Sequence, residues 1–184
     1  MATPAPGRMT LAEFLEWDDG TDTRYELIDG EVVAMAPPRD AHGTIVANLV
    51  VAIGPQLKPP CRVVGSAGIT DPERPDSFYV ADLAVTCDQP ADQRFFLPAP
   101  RLIVEVLSRS TAAHDRGRKG EAYRRIPSVE AILFVSSDER RFELWRRDGD
   151  RWVIEDYIGD ASVRLESLGI DLPLSAIYAS VAVD

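Results

Sequence analysis

A chain of 184 residues with 45% hydrophobic and 27% charged side chains can bury one sizeable core, and no second domain is expected. The formal net charge of -10 argues against a protein that coats nucleic acid by neutralising phosphates. No apolar run is long enough to span a bilayer and the opening residues have no signal-like segment, so the expectation is a cytoplasmic protein that does not enter a membrane. Cys61 and Cys87 lack the spacing of a zinc site and are too few for a disulfide framework, so they are expected as unpaired small residues in a reducing compartment.

In chain order, residues 1–9 contain prolines and read as a disordered tail, leaving residues 10–184 as a single domain. Thr10 and Glu13 have capping-box spacing, and Leu11, Phe14 and Leu15 form the apolar side of a short helix ending near Trp17. Asp29-Gly30 between Arg24–Ile28 and Glu31–Met35 signals a β-hairpin, with two acids, Glu26 and Glu31, close to its turn. A helix is predicted over Ala41–Leu57, burying Ile45, Leu49, Ala52, Ile53 and Leu57, and Pro59-Pro60 closes it. Two short strands, Arg62–Val64 and Ile69–Thr70, are separated by Gly65 and Gly68, and a Pro- and Asp-rich loop follows over Asp71–Ser77. Phe78–Thr86 reads as a buried strand with Asp82 near its centre, and residues 88–100 form a connection. Beyond the next strand and helix, segments at 131–135, 142–145 and 152–157 form a meander, and a last short helix lies near Leu174–Tyr178.

The segment Arg101–Arg125 organises the rest. Leu102–Leu107 is a second buried strand with a carboxylate, Glu105, in it, and an ionised Glu in a dry core needs a partner. After a turn at residues 108–111, a helix starting near Ala113 places Asp115, Lys119, Ala122, Tyr123 and Ile126 on one face. The segment has seven basic residues against three acidic ones, a charge excess that fits an anionic substrate and equally an ordinary solvated helix.

Two carboxylates on neighbouring buried strands repel, so Asp82 and Glu105 would share a proton or hold a divalent cation, with oxygen-only ligation suiting Mg²⁺ or Mn²⁺. The bland alternative pairs each with an arginine. Glu105 lies about 7 Å before its strand's end and Lys119 about 9 Å into the helix, so a helix folded back along the strand brings them level. An ammonium there can stabilise charge developing at phosphorus; otherwise Asp115 and Lys119 are an exposed i,i+4 pair. Gly117 and Gly120 cost helix stability and suggest close approach by another group.

These residues carry a resemblance. An Asp on one strand, a Glu on the next and a Lys nearby resembles the PD-(D/E)XK nuclease motif. The set Tyr25-Glu26-Leu27-Ile28-Asp29-Gly30-Glu31, His42, Asp82, Val104-Glu105-Val106-Leu107-Ser108, Asp115, Lys119 and Tyr123 is similar to the bacterial Uma family of endonucleases, over about Met9 to Tyr178. It implies an α/β, restriction-endonuclease-like fold, a mixed central sheet flanked by helices. It implies Mg²⁺ or Mn²⁺ on Asp82 and Glu105, hydrolysis of phosphodiester bonds of nucleic acid, with DNA the expected substrate, and a two-fold homodimer. A nuclease-fold domain without catalysis that binds protein or nucleic acid is the alternative.

The chain departs from the motif twice, with Ala81 where Pro stands before the Asp and Leu107 where the Lys would sit. The resemblance implies that Lys119 supplies the amine from the helix. Glu31 or Glu26 would be the further upstream acid, and the sequence does not choose. His42 is a supporting or phosphate contact, or simply a polar residue at a helix start, and Asp115 and Tyr123 are secondary candidates. With Lys119 read this way, Lys119→Ala is expected to leave folding nearly intact while reducing cleavage.

Overall fold

The computed structural model describes residues 7–108, 112 and 115–183. Residues 1–6 of the expected tail, the turn at 109–111 and the expected helix start at Ala113 lie outside the described residues.

Helix α1, Leu11–Glu16, begins with the expected capping box, Thr10 and Glu13 satisfying each other's backbone N–H groups. Strands β1, Tyr25–Ile28, and β2, Glu31–Ala34, form the hairpin, with Asp29 and Gly30 both at positive φ as a two-residue turn requires. Helix α2, Asp40–Ile53, buries Ile45, Leu49 and Ile53. It stops short of Leu57 because Pro55 has no N–H to continue the helical ladder, and Gly54–Gln56 forms a 3-10 turn instead.

The two short strands predicted after α2 are one, β3, Arg62–Asp71. Gly68 is not a terminator but a close-approach glycine: an added Cβ would lie 2.0 Å from the carbonyl oxygen of Phe95, whose loop crosses here and is tied down by Leu97 N–H donating to Gly68 O. The predicted loop at 71–77 shrinks to a tight turn, since β4 spans Arg74–Thr86 and pairs with β3 back to Asp71↔Arg74. Cys61 and Cys87 are joined by a disulfide, which corrects the expectation that they are unpaired. Arg62 faces Thr86 in the antiparallel register, so the residues flanking them, Cys61 and Cys87, come directly opposite one another.

Strand β5, Pro100–Leu107, leads through the crossover to β6, Ala131–Ser136, and these two are parallel. The crossover contains a π-helical turn, Asp115–Lys119, continuing into α3, Gly120–Arg125. Strands β7, Arg141–Asp148, and β8, Arg151–Ile158, complete the antiparallel meander. The sheet runs β2-β1-β4-β5-β6-β7-β8, with β3 also on β4. It is mixed, as expected. A separate hairpin, β9 (Ser162–Leu165) and β10 (Ile170–Pro173), was not foreseen, since four-residue strands leave little pattern; helix α4, Leu174–Ile177, follows it.

One cluster packs α2, the β9–β10 hairpin and α4 against Leu83, Val104, Leu133 and Leu144. A second packs Ala122, Tyr123 and Ile126 of the crossover against Tyr79, Ile103 and Phe134. Among the described residues no helix is long and apolar enough to cross a membrane.

Candidate active site

The site forms where the sheet's ladders open. The β4–β5 ladder runs from Thr86↔Pro100 to Leu83↔Val104 and stops, and one residue further the carboxylate of Asp82 serves as acceptor: Val106 N–H donates to Asp82 Oδ2 at 2.8 Å. The β1–β4 ladder has a single pair, Leu27↔Phe78, and beside it Val80 N–H donates to Glu26 Oε1 at 2.8 Å. Two carboxylates thus replace missing strand partners, satisfying buried amide groups and holding the acids at the sheet's open seam.

Glu105 is buried on β5. Burial raises its carboxyl pKa to about 8, Asp82 adding to the rise and Lys119 and the Tyr123 hydroxyl opposing it. Tyr123 donates to Glu105 Oε1 at 2.5 Å from α3, its ring edge-on to Tyr79. Lys119 ends the π-helical turn, and its Nζ lies 2.9 Å from Glu26 Oε1, 3.3 Å from Glu105 Oε1 and 3.9 Å from Asp115 Oδ1. Burial works against its charge, but Glu105, Glu26 and Asp115 together hold the pKa above the ordinary lysine value, so the group stays an ammonium. It is not the exposed i,i+4 pair of the bland reading, for only 5% of Lys119 is accessible. Strand alternation puts Leu107 on the same side as Glu105, and it is packed into the apolar cluster with Tyr123. The place of the motif lysine is therefore filled by hydrocarbon, and the amine arrives from the crossover.

His42, in the first turn of α2, brings Nε2 to 3.2 Å from Asp82 Oδ1, while its Nδ1 is buried without a partner. The structure therefore gathers Asp82, Glu105, Lys119, Glu26, Asp115, Tyr123 and His42. It does not bring Glu31: that residue is exposed on β2, paired across the turn with Ile28, and Glu26 takes the position at the amine.

Two features escaped the sequence reading. The π-helical turn changes the spacing of Asp115 and Lys119 from that of the assumed α-helix, and no local residue pattern announces it. The clamp on the hairpin was also missed: Arg74 Nη1 and Arg118 Nη1 lie 2.5 Å and 2.7 Å from the two Asp29 oxygens, holding that carboxyl below its ordinary pKa, Arg74 most strongly. An acid at a tight turn and a run of basic residues were the available signals. The basic excess around the crossover is mostly consumed in such pairs, Arg101 with Glu130, Arg116 with Glu143 and Arg125 with Asp71.

Of the two crossover glycines, Gly117 faces open space. Gly120 is the one under close approach, and by side chains: an added Cβ would lie 2.7 Å from Trp145 Cζ3 and 3.3 Å from Phe134 Cζ. Trp145 is itself wedged edge-on against Phe134 with Arg124 over its ring, so it has little room to yield. Gly120→Ala is expected to lower stability by about 1–3 kcal/mol, overpacking outweighing the better helix propensity, as read by denaturant unfolding.

A family model described as "Uma2: Putative restriction endonuclease" matches residues 11–175. The chain belongs to the Uma2 family. An uncharacterised protein of Synechocystis sp. is 31% identical over 98% of this chain and 96% of its own length, and a second is 27% identical over 83% of this chain and 89% of its own. The fold is similar to a crystal structure from Anabaena variabilis described as "a putative nuclease belonging to DUF820", with a TM-score of 0.72 at 20% identity, covering 93% of this chain and 98% of that one. Uma2 membership supports a nuclease-like function, and the structural neighbour shows the fold.

Proposed function

We propose that this Uma2 chain hydrolyses phosphodiester bonds of DNA with the help of Mg²⁺ or Mn²⁺ held by Asp82 and Glu105. The observation that carries the reading is the buried Lys119 ammonium, gripped by carboxylates from β1, β5 and the π-helical turn beside Asp82. Burying three ionisable side chains, Glu26, Glu105 and Lys119, at a sheet's open seam costs stability that an apolar repacking would avoid, and strongly shifted groups of this kind mark functional sites.

The donor set fits a hard cation. Asp82's charge adds to the upward shift of Glu105, so the two carboxylates repel, and a cation between them relieves that. Two protein carboxylates, with waters and substrate phosphate, would be a ligation Mg²⁺ accepts; among the described residues no group of three or more His, Cys, Asp or Glu is placed to hold a metal ion by itself. Bound there, the ion supplies Lewis acidity at the phosphoryl oxygens.

The chain's own groups do the rest. Lys119 presents a fixed positive charge to the negative charge that builds on phosphate in the transition state. Glu26 and Asp115 hold its amine in place, Tyr123 fixes Glu105, and His42 fixes Asp82. Calorimetry with Mn²⁺ should show binding by the native protein that is lost in Asp82→Asn and Glu105→Gln, with DNA cleavage lost in parallel. Equal Mn²⁺ binding by all three proteins overturns the metal assignment, and undiminished cleavage by both variants overturns the reading as a whole.

A further inference from the structure

The sheet ends in an edge that no other strand covers among the described residues. Strand β8, Arg151–Ile158, is paired only on its β7 side, and that pairing is unbroken along all of both strands, from Arg141↔Ile158 to Asp148↔Arg151. Long free edges recruit another strand through their open N–H and C=O groups unless proline, a bulge, a covering element or charges of one sign hold it off, and the charges on β8, Arg151, Glu155 and Asp156, are of both signs. The β8 sequence, Arg-Trp-Val-Ile-Glu-Asp-Tyr-Ile, has neither proline nor glycine and is rich in residues that favour strands. Two of the molecule's most exposed large apolar side chains, Ile154 at 55% and Ile158 at 69%, lie on it, on the same side of the strand.

We propose that β8 pairs antiparallel with β8 of a second copy of this chain, making a two-fold dimer with one continuous sheet. The partner is argued from the strand's own charges. A two-fold axis perpendicular to the sheet pairs residues of equal parity, since side chains that face each other must point to the same side. In the register centred on Val153, residues 151–155 pair across the axis: each Arg151, which also reaches Asp148, faces Glu155 of the other copy, which also reaches Arg146, and each Trp152 faces Ile154, while Ile158 lies beyond the paired stretch. A foreign strand would have to reproduce this pattern; a second copy does so by symmetry.

The arrangement has a functional geometry. An axis perpendicular to the sheet leaves both Glu105 clusters on the same face of the joined sheet. From β5 of one copy to β5 of the other there are three strand steps out, one across and three back, so the sites are about 34 Å apart at roughly 4.8 Å per step. That is about one helical turn of duplex DNA.

Light scattering across micromolar concentrations should give twice the chain's mass for the native protein. Ile154→Lys, at a position 55% exposed beside Trp145, should give a monomer with unchanged circular dichroism. Arg151→Glu and Glu155→Arg should each weaken the dimer about tenfold, and the two together should restore it, as expected when a facing pair is reversed. A monomeric native protein, or a dimer indifferent to Ile154→Lys, overturns the proposal; a double variant no tighter than the singles overturns the register. None of these readings uses cleavage, so failure here leaves the nuclease reading standing, and failure there leaves this one standing.

Discussion

Lys119→Ala is expected to lower the stability of the metal-free protein by about 3–5 kcal/mol, the usual scale for removing one partner of a buried ion pair. The sequence suggested that this substitution would spare the fold, and the geometry reverses that expectation. Nζ is surrounded by Glu26, Glu105 and Asp115, and without it three carboxylates face one another in a setting where Lys119 itself is only 5% accessible. Cleavage should also fall, by about 10²-fold or more, as when one positioned charge stabiliser is lost. The two effects are separable by measuring cleavage well below the variant's melting temperature, where circular dichroism shows it folded. A variant that unfolds at native denaturant concentrations would show that the carboxylates find other partners, and undiminished cleavage would leave Lys119 a structural ion-pair residue only. Leu107→Lys in the Lys119→Ala background tests whether the strand position can replace the crossover position, at the cost of disturbing the apolar cluster that Leu107 fills.

Glu105→Gln should change how stability depends on pH more than any other single substitution. The Glu105 carboxyl has its pKa raised from 4.5 to about 8 in the folded protein, because burial disfavours its charge more than Lys119 favours it. A group whose folded pKa is raised binds its proton more tightly in the folded state, so its contribution is fully present below the unfolded pKa and is lost as pH rises through the folded one. In chelator, native stability should therefore decline between pH 4.5 and about 8 from this group, and Glu105→Gln should remove that decline. At pH 8 the variant is expected to be the more stable protein while failing to cleave DNA. Lys119 does not contribute to the slope in this window, since its pKa is raised above an already high value and it stays protonated throughout. Parallel stability curves for the two proteins from pH 5 to about 8 would refute the assignment.

How much of this could be read in the residues alone depends on range. The Asp29-Gly30 turn, the capping box at Thr10 and the stripe of α2 are local, and each appears where its local chemistry places it. The two acids in apolar strands, Asp82 and Glu105, are legible because an ionised side chain in such a run demands an explanation. The choice between Glu26 and Glu31 is not legible: both flank the same turn, and only the docking of β1 on β4 decides which one meets Val80 N–H and the amine. The disulfide is hidden for the same reason, because Cys61 and Cys87 become neighbours only through the register of β3 on β4, a long-range pairing that two short predicted strands could not reveal. The depth of Lys119 is also a tertiary fact, set by the crossover packing through Ala122 and Tyr123 onto the sheet.

The way Lys119 collects its carboxylates bears on when the molecule becomes competent. Glu105 and Asp115 lie on the same stretch of chain as the lysine, so strand and crossover can bring them together early. Glu26 arrives from the first hairpin, whose hold on the sheet has a single ladder pair, Leu27↔Phe78, and is otherwise made by side chains and turn contacts: the Glu26 link to Val80, Gly30 N–H on Asp76 O, Asp29 N–H on Ser77 Oγ, Arg24 on Ser66 Oγ, the Arg74 and Arg118 clamps on Asp29, and the Phe14–Leu27–Phe78 cluster. Contacts of such sequence separation carry a loop-closure cost that local pairings do not, and elements held by few bonds open most readily. The main sheet can therefore form before the hairpin closes over the crossover, and the chain completes its charged cluster in a single late docking step. The Val80 amide, protected only while Glu26 is seated, is the place where amide exchange would time that event.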